Sequence, residues 1–218
     1  QKLVRYAIMY LTSYLLGGTV MSVKNEYYMK KVERNEIRDF IEKYHYSHNI
    51  NGTIANYCFA LYRKSDNVMV GAMFYGKMAM ANQYKKYGEI DEVMELRRLV
   101  LIDDTPKNTE SYFIGQSLRW LKRNSPVKTI VSYADPNYGH SGIIYRATNF
   151  EHVGMTSAGR VIIYNGKKYH DKTIRTKYKG KLKPFAKKVK DALENGDAYY
   201  KKQLPKHIYV YHLKKENK

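Results

Sequence analysis

The 218-residue chain has one cysteine, one tryptophan and about half as many acidic as basic side chains. A lone Cys58 excludes an intramolecular disulfide and any zinc site built on several thiolates. It stands in NYCFALY, where the alternation marks a core residue, with a catalytic thiol as the alternative. Such cysteine usage fits a reducing, cytosolic compartment. No apolar run is long enough to span a bilayer. The best candidate, residues 1–20 (QKLVRYAIMYLTSYLLGGTV), is interrupted and carries no small-x-small cleavage site. We expect a peripheral or non-native leader there, ahead of a domain starting at Met21, with a packing helix and then an anchor as the alternatives. Internal repeats and low-complexity tracts are absent as well.

What is present points to a folded, polyanion-seeking protein. Hydrophobic residues make up 44% of the chain and aromatic ones 14%, enough for a core. Tyrosine supplies 23 of the aromatics against 6 phenylalanines, and its polar handle suits half-buried surfaces and interfaces. Codon bias in an AT-rich genome would give the same excess. Lysine and arginine number 39 against 20 aspartates and glutamates, a net charge of +19. The excess is uneven: residues 157–218 hold 18 basic and 5 acidic side chains. Nucleic acid is the expected partner, ahead of an anionic membrane surface or the ribosome.

The order of elements reads β-α-β-β-β-α-β-α-β-β. EYYMKKVE is a strand and RNEIRDFIEKYHYSH a helix with Ile37, Phe40, Ile41 and Tyr44 on one face. NYCFALYRK and NVMVGAMFYGK form a hairpin, residues 82–92 a loop, and EVMELRRLVLI a strand. TESYFIGQSLRWLKRNS is a long helix with Phe113, Ile114, Leu118 and Leu121 as its apolar stripe. VKTIVSYAD is the next strand, SGIIYRATN a short helix, and FEHVG…GRVIIYN a closing hairpin. Residues 167–197 are basic and poorly periodic, and KHIYVYHL is the last strand. The class is α/β, a mixed central sheet flanked by helices with a basic C-terminal extension. This order resembles the GNAT acyltransferases.

Several residues stand where chemistry is placed. Asp135 ends a central strand, the position at which open α/β sheets hold their sites, though an Asp-Pro turn would use it too. His45 and Tyr46 close the first helix, where a histidine also serves as a cap. Arg97 and Arg98 are neighbours on a strand and point to opposite faces. Either a cleft role or a salt bridge to Glu95 or Asp103 follows.

Four segments together resemble a narrower family: KYHYSHN, MELRRLVLIDDTPKNTESYFIGQSLRWL, SYADPNYGHSGIIYRATNFEHVG and KHIYVYHL. The combination, over residues 27 to 213, is similar to the phage Mom DNA-modification proteins, a divergent GNAT-like group. That resemblance implies a transferase placing a carbamoylmethyl group on N6 of adenine in double-stranded DNA, shielding phage genomes from restriction in the host cytoplasm. It implies His45, Tyr46, Arg98, Asp135 and Tyr145 as catalytic residues and iron on Tyr46, Asp135 and His45, a ligand set that suits iron better than zinc.

Adenine N6 is hidden in the duplex, so a stacking slot and a basic rim are needed. His140, Arg146, Lys167, Lys168, Arg175 and Lys177 are the expected DNA contacts. The domains so expected are a leader over 1–20, a GNAT-like core over 21–165, and a DNA-contacting segment over 166–218 whose last strand joins the core. No membrane partner is implied, and a homodimer is compatible.

GNAT enzymes hold coenzyme A on a glycine-rich turn, and here that place reads PKNTESYFIGQS, with Gly115 inside the helical stripe. Acetyl-CoA is therefore an open question, and the donor is an acyl- or glycyl-type group. An acetyl-CoA-dependent N-acetyltransferase and a non-catalytic DNA-binding protein are the rival readings.

Overall fold

The structure, a computed structural model, describes residues 22–50, 52–80 and 82–213, so the expected leader lies outside the described residues. These residues form the expected mixed α/β sheet flanked by helices. The chain divides into two compact units. One takes residues up to 132, 144–150 and those from 210 on; the other takes 133–143 and 151–209.

In the first unit, β1 (Tyr27–Val32), β2 (Tyr57–Arg63), β3 (Met69–Gly76) and β4 (Val93–Leu101) run antiparallel in sequence order. The pleat sends alternate residues to opposite faces, and each face is covered by a helix. Helix α1 (Arg34–Tyr44) packs Ile37 and Ile41 against Cys58, Ala60, Ala72 and Phe74. A capping box between Glu33 and Glu36 starts it. Helix α2 (Thr109–Asn124) buries Phe113, Ile114, Leu118 and Leu121. On that side the Tyr75 and Ser117 hydroxyls bond at 2.7 Å, and Phe59 meets Trp120 with ring centroids 5.3 Å apart. Each fully buried aliphatic side chain here stabilises by about 1.5–3 kcal/mol.

Two irregularities fall on β4 together. The register with β3 pairs Phe74 with Arg98 and Tyr75 with Leu96, leaving Arg97 as the extra residue of a bulge. The parallel pairing with β5 (Thr129–Ala134) covers only Val93–Glu95 against Thr129–Val131. Beyond Glu95, β4 runs on without that neighbour.

The second unit centres on β7 (Gly159–Tyr164), with β8 (Lys167–His170) on one edge and β11 (Ala198–Gln203) on the other. Helix α4 (Pro184–Asn195) packs Val189 and Ala192 on Ile162 and Ala198. A two-residue pair, β9 (Lys177–Tyr178) and β10 (Lys181–Leu182), lies in the connecting segment. Strand β6 (Glu151–Met155) neighbours β12 (His207–His212). Helix α3 (Ile143–Ala147) precedes β6.

The closing hairpin expected at 150–165 is not formed, because β6 and β7 belong to different sheets. Thr156 fastens β6 to the approach of β12, donating its N–H to the Lys206 carbonyl at 2.9 Å and accepting the Lys206 N–H at 3.0 Å. Both edges of β7 are meanwhile taken by β8 and β11. The basic stretch read as poorly periodic holds α4, whose buried stripe is Ala186, Val189 and Ala192. Small apolar residues set among lysines give that stripe little contrast. No helix of the described residues is long and apolar enough to cross a membrane.

Candidate active site

His45 is the C-cap of α1, its N–H donating to the Ile41 carbonyl at 2.9 Å, and its ring is buried. The cap reading thus holds for its backbone while the ring is used elsewhere. His45 Nδ1 receives the Ser47 N–H at 3.1 Å and meets the Ser47 hydroxyl at 2.8 Å. A backbone N–H only donates, so Nδ1 is the lone-pair nitrogen and the neutral ring carries its proton on Nε2. The Tyr46 ring lies on that of His45, centroids 4.2 Å apart. His48 folds back to the Glu42 carbonyl at 2.9 Å and fixes the turn.

The two arginines of β4 take different partners, but not by pointing to opposite faces as expected: the bulge at Arg97 breaks the alternation, and Arg97 reaches Glu95 on the same face as Arg98. Arg97 bonds Glu95 and the Lys77 carbonyl, each at 3.3 Å, a largely buried structural pair. Arg98 donates from Nε to the Ser47 hydroxyl at 3.1 Å and from Nη1 to the Arg97 carbonyl at 2.7 Å. Burial pulls its pKa down from the usual arginine range. Tyr145, on α3, has its phenol pushed up to about 12 by burial. The Ser132 hydroxyl beside it pulls the other way, although that oxygen has no partner at full hydrogen-bond geometry. Tyr46 is close enough to act electrostatically on both Arg98 and Tyr145. His45, Tyr46 and Arg98 are therefore linked in the first unit, and Tyr145 of the same unit feels the charge of Tyr46. Ser47, which links them, was missed by sequence reasoning; its only signal was its place in the turn that ends α1.

Asp135 belongs to the second unit. It caps the turn Pro136–Tyr138, accepting at Oδ1 from the Asn137 N–H at 3.0 Å and side-chain amide at 2.8 Å. Its Oδ2 faces the Lys206 ammonium at 2.9 Å. Burial pushes the carboxyl up, but Lys206 and Asn137 outweigh it and hold Asp135 below the usual carboxylate range. Asn137 also exchanges two hydrogen bonds with the Leu204 backbone, which sets the segment carrying Lys206. The Asp-Pro turn and the ionised carboxylate are thus one arrangement. Lys206, in LPK ahead of β12, gave no sequence signal.

Iron is implied on His45, Tyr46 and Asp135 by resemblance. Asp135 already carries an ammonium and two amide donors, and His45 Nδ1 is taken by Ser47. Among the described residues no three His, Cys, Asp or Glu side chains gather as a metal site. The Asp135 oxygens and His45 Nδ1 implied for iron are thus engaged by protein partners in this arrangement.

The expected DNA contacts are surface groups. His140 and Arg146 are exposed, as are Lys167 and Lys168 on β8 and Lys177 on β9. Arg175 grips the buried Asp171 at 2.7 Å, with Arg160 at 3.5 Å on its other oxygen. Cys58 is buried and its thiol is pushed up to about 11, chiefly by burial, which makes it a core residue and not a nucleophile. Gly115 is mid-helix and the α2 N-cap is Asn108, so no glycine turn opens that helix. A hollow of about 260 Å³ lined by Met78, Met80, Tyr84 and Ile90 holds none of the candidate residues.

Over 88 residues the chain is 34% identical to the methylcarbamoylase Mom of Escherichia phage Mu. That match covers 40% of this chain and 36% of that protein, well under two thirds of the relative's length. Among solved structures, a spermidine/spermine N-acetyltransferase from Vibrio cholerae superposes with a TM-score of 0.49 at 9% identity, covering 88% of this chain and 95% of that one. An N-acetyltransferase from Staphylococcus aureus gives 0.47 at 13% identity, covering 86% and 99%. A family model matches residues 26–218, and by that match the chain belongs to the Mom protein family.

Proposed function

We propose that this chain is a DNA-modifying transferase that adds a carbamoylmethyl-type group to N6 of adenine in phage DNA and so protects it from restriction in the host cytoplasm. The observation that carries the reading is the linkage of His45, Tyr46 and Arg98 through one turn and one bulged strand in a chain of the Mom family. The name of the phage Mu relative, a methylcarbamoylase, supports the same chemistry.

The residues suit the reaction's needs. The adenine amine is a weak nucleophile because its lone pair is delocalised into the ring. As the new bond to N6 forms, a proton leaves that nitrogen and requires an ionised acceptor. The family resemblance assigns that acceptor to Asp135, which Lys206 and Asn137 keep ionised within the second unit. Tyr145 stays protonated at neutral pH and acts as a hydrogen-bond donor, not a base. His45 donates from Nε2. Arg98 remains charged and offers its guanidinium to an anionic part of the donor or to a developing oxyanion. The donor is an acyl- or glycyl-type compound: N6 attacks its transferred carbon, the bond from that carbon to the leaving group breaks, and the leaving group departs with the electron pair. Duplex adenine must leave the stack first, which the basic surface of the second unit supports by holding phosphates without reading sequence.

Mass spectrometry of nucleosides from cells expressing the chain, beside an Asp135→Ala control, tests this. A new adenosine species of carbamoylmethyl mass, absent from the control, is expected. Unchanged adenosine together with coenzyme A binding would make the chain an N-acetyltransferase of another target. Neither result, with DNA binding kept, would leave a non-catalytic binding protein.

A further inference from the structure

The three-stranded sheet of the second unit has two unlike faces. Helix α4 covers the face of Ile162 and Ala198. On the opposite face, antiparallel partners place Tyr199, Ile163 and Lys168 in one row across β11, β7 and β8. Lys201, Val161 and His170 form the next row. Tyr199 is 61% exposed and Tyr138 45% exposed. The Tyr138 ring stands under the Lys168 ammonium, 4.8 Å from its centroid, with its hydroxyl 3.3 Å from the same nitrogen. The face therefore offers two exposed rings, the partly exposed Ile163, two lysines and His170, with no carboxylate in either row.

We propose that this face is a stacking platform for unpaired nucleobases of single-stranded DNA. Rings on an open sheet give each base a π-face to stack on, whatever its identity, and the flanking lysines follow the phosphates. Duplex bases present only their edges and cannot use such rings. Charge selects the polymer: the segment carrying the platform belongs to the most basic stretch of the chain. Tyr138 is three residues from Asp135 and lies in the turn that Asp135 caps. A strand held on the platform thus passes beside the carboxylate to which proton removal is assigned. The inference rests on the DNA-modifying reading for the identity of the polymer, and it adds that the form engaged is the unpaired strand.

Anisotropy titrations of the full chain with a labelled thymidine oligonucleotide test it. Tyr199→Ala is expected to weaken binding about tenfold, while Tyr199→Phe, which keeps the ring, changes it little. The slope of log affinity against log salt stays that of the wild type in Tyr199→Ala, because no phosphate contact is lost. It flattens by about 0.7 in Lys201→Ala. Unchanged affinity in Tyr199→Ala overturns the platform, as does no binding by the wild type. Tighter, Tyr199-dependent binding of the matching ribo-oligonucleotide also overturns it, in favour of RNA. If the Tyr199 dependence holds while no modified adenosine forms, the platform stands and the transferase reading falls. If modified adenosine forms while Tyr199→Ala binds like the wild type, only the platform falls.

Discussion

Ser47 and Arg98 are 51 residues apart in sequence, and the Arg98 Nε–H donates to the Ser47 hydroxyl at 3.1 Å. The same hydroxyl meets His45 Nδ1 at 2.8 Å, so one serine holds an imidazole and a guanidinium at a fixed separation. Ser47→Ala removes both contacts but keeps the backbone N–H on Nδ1. The expected cost is about 1 kcal/mol in stability. Turnover should fall about tenfold with KM little changed, the sign of lost orientation in the transition state. Ser47→Thr, which retains the hydroxyl, should restore turnover. Equal kinetics for the alanine and threonine variants would remove Ser47 from the site.

Lys206→Met leaves the Asp135 carboxylate buried with one of its two kinds of partner gone. An uncompensated buried charge is costly, here about 2 kcal/mol given that the lysine itself is half exposed. The pH dependence has a defined sign. Asp135 has a folded pKa below its unfolded one, so its stabilisation is present above about pH 4 and is lost as pH falls through the lower, folded value. Melting temperatures of wild type and Asp135→Asn should differ by a constant amount above about pH 4 and converge below it. A difference that grows on acidification would contradict the ion pair.

The strands and the two long helices of the first unit were legible because their apolar periods, 2 and 3.6, match their burial. The site was legible only in part. His45, Tyr46, Arg98 and Tyr145 lie in motifs, but Ser47 and Lys206 act through partners 51 and 71 positions away, and such contacts leave no local pattern. The bulge at Arg97 was hidden too: a single extra residue does not disturb the composition of VMELRRLVL. The hairpin expected over 150–165 failed because strand propensity says which residues extend, not which edge they meet.

Tyr145→Phe isolates the phenol from the ring. The ring packs on Phe150 with centroids 5.5 Å apart, and phenylalanine keeps that contact, so stability should change by less than about 1 kcal/mol. If the phenol donates a proton or hydrogen bond, modification should fall by about 10²–10⁴-fold. Because the folded phenol titrates near 12, above the unfolded value, the neutral group's contribution is intact below about pH 10 and is lost as pH rises toward 12. Alkaline unfolding of wild type should therefore be steeper than that of Tyr145→Phe. Matching alkaline curves would show that the phenol is not held neutral by the fold.

Gly142 follows the turn that Asp135 begins, and it does so with φ at +77°. A Cβ at that position would overlap the ring of Tyr209, which is only 2% exposed and whose hydroxyl donates to the Ser141 carbonyl at 3.0 Å. Gly142→Ala therefore carries two penalties, a left-handed backbone on an L residue and an overpacked ring, together roughly 2–4 kcal/mol. The two separate in a double mutant. Tyr209→Leu alone loses the hydroxyl bond and ring packing, but it opens the space that the alanine methyl needs. Gly142→Ala combined with Tyr209→Leu should then be less destabilised than the sum of the singles, read as denaturation midpoints at constant slope. Strict additivity would assign the whole penalty to backbone strain, and the ring of Tyr209 would cease to explain the glycine.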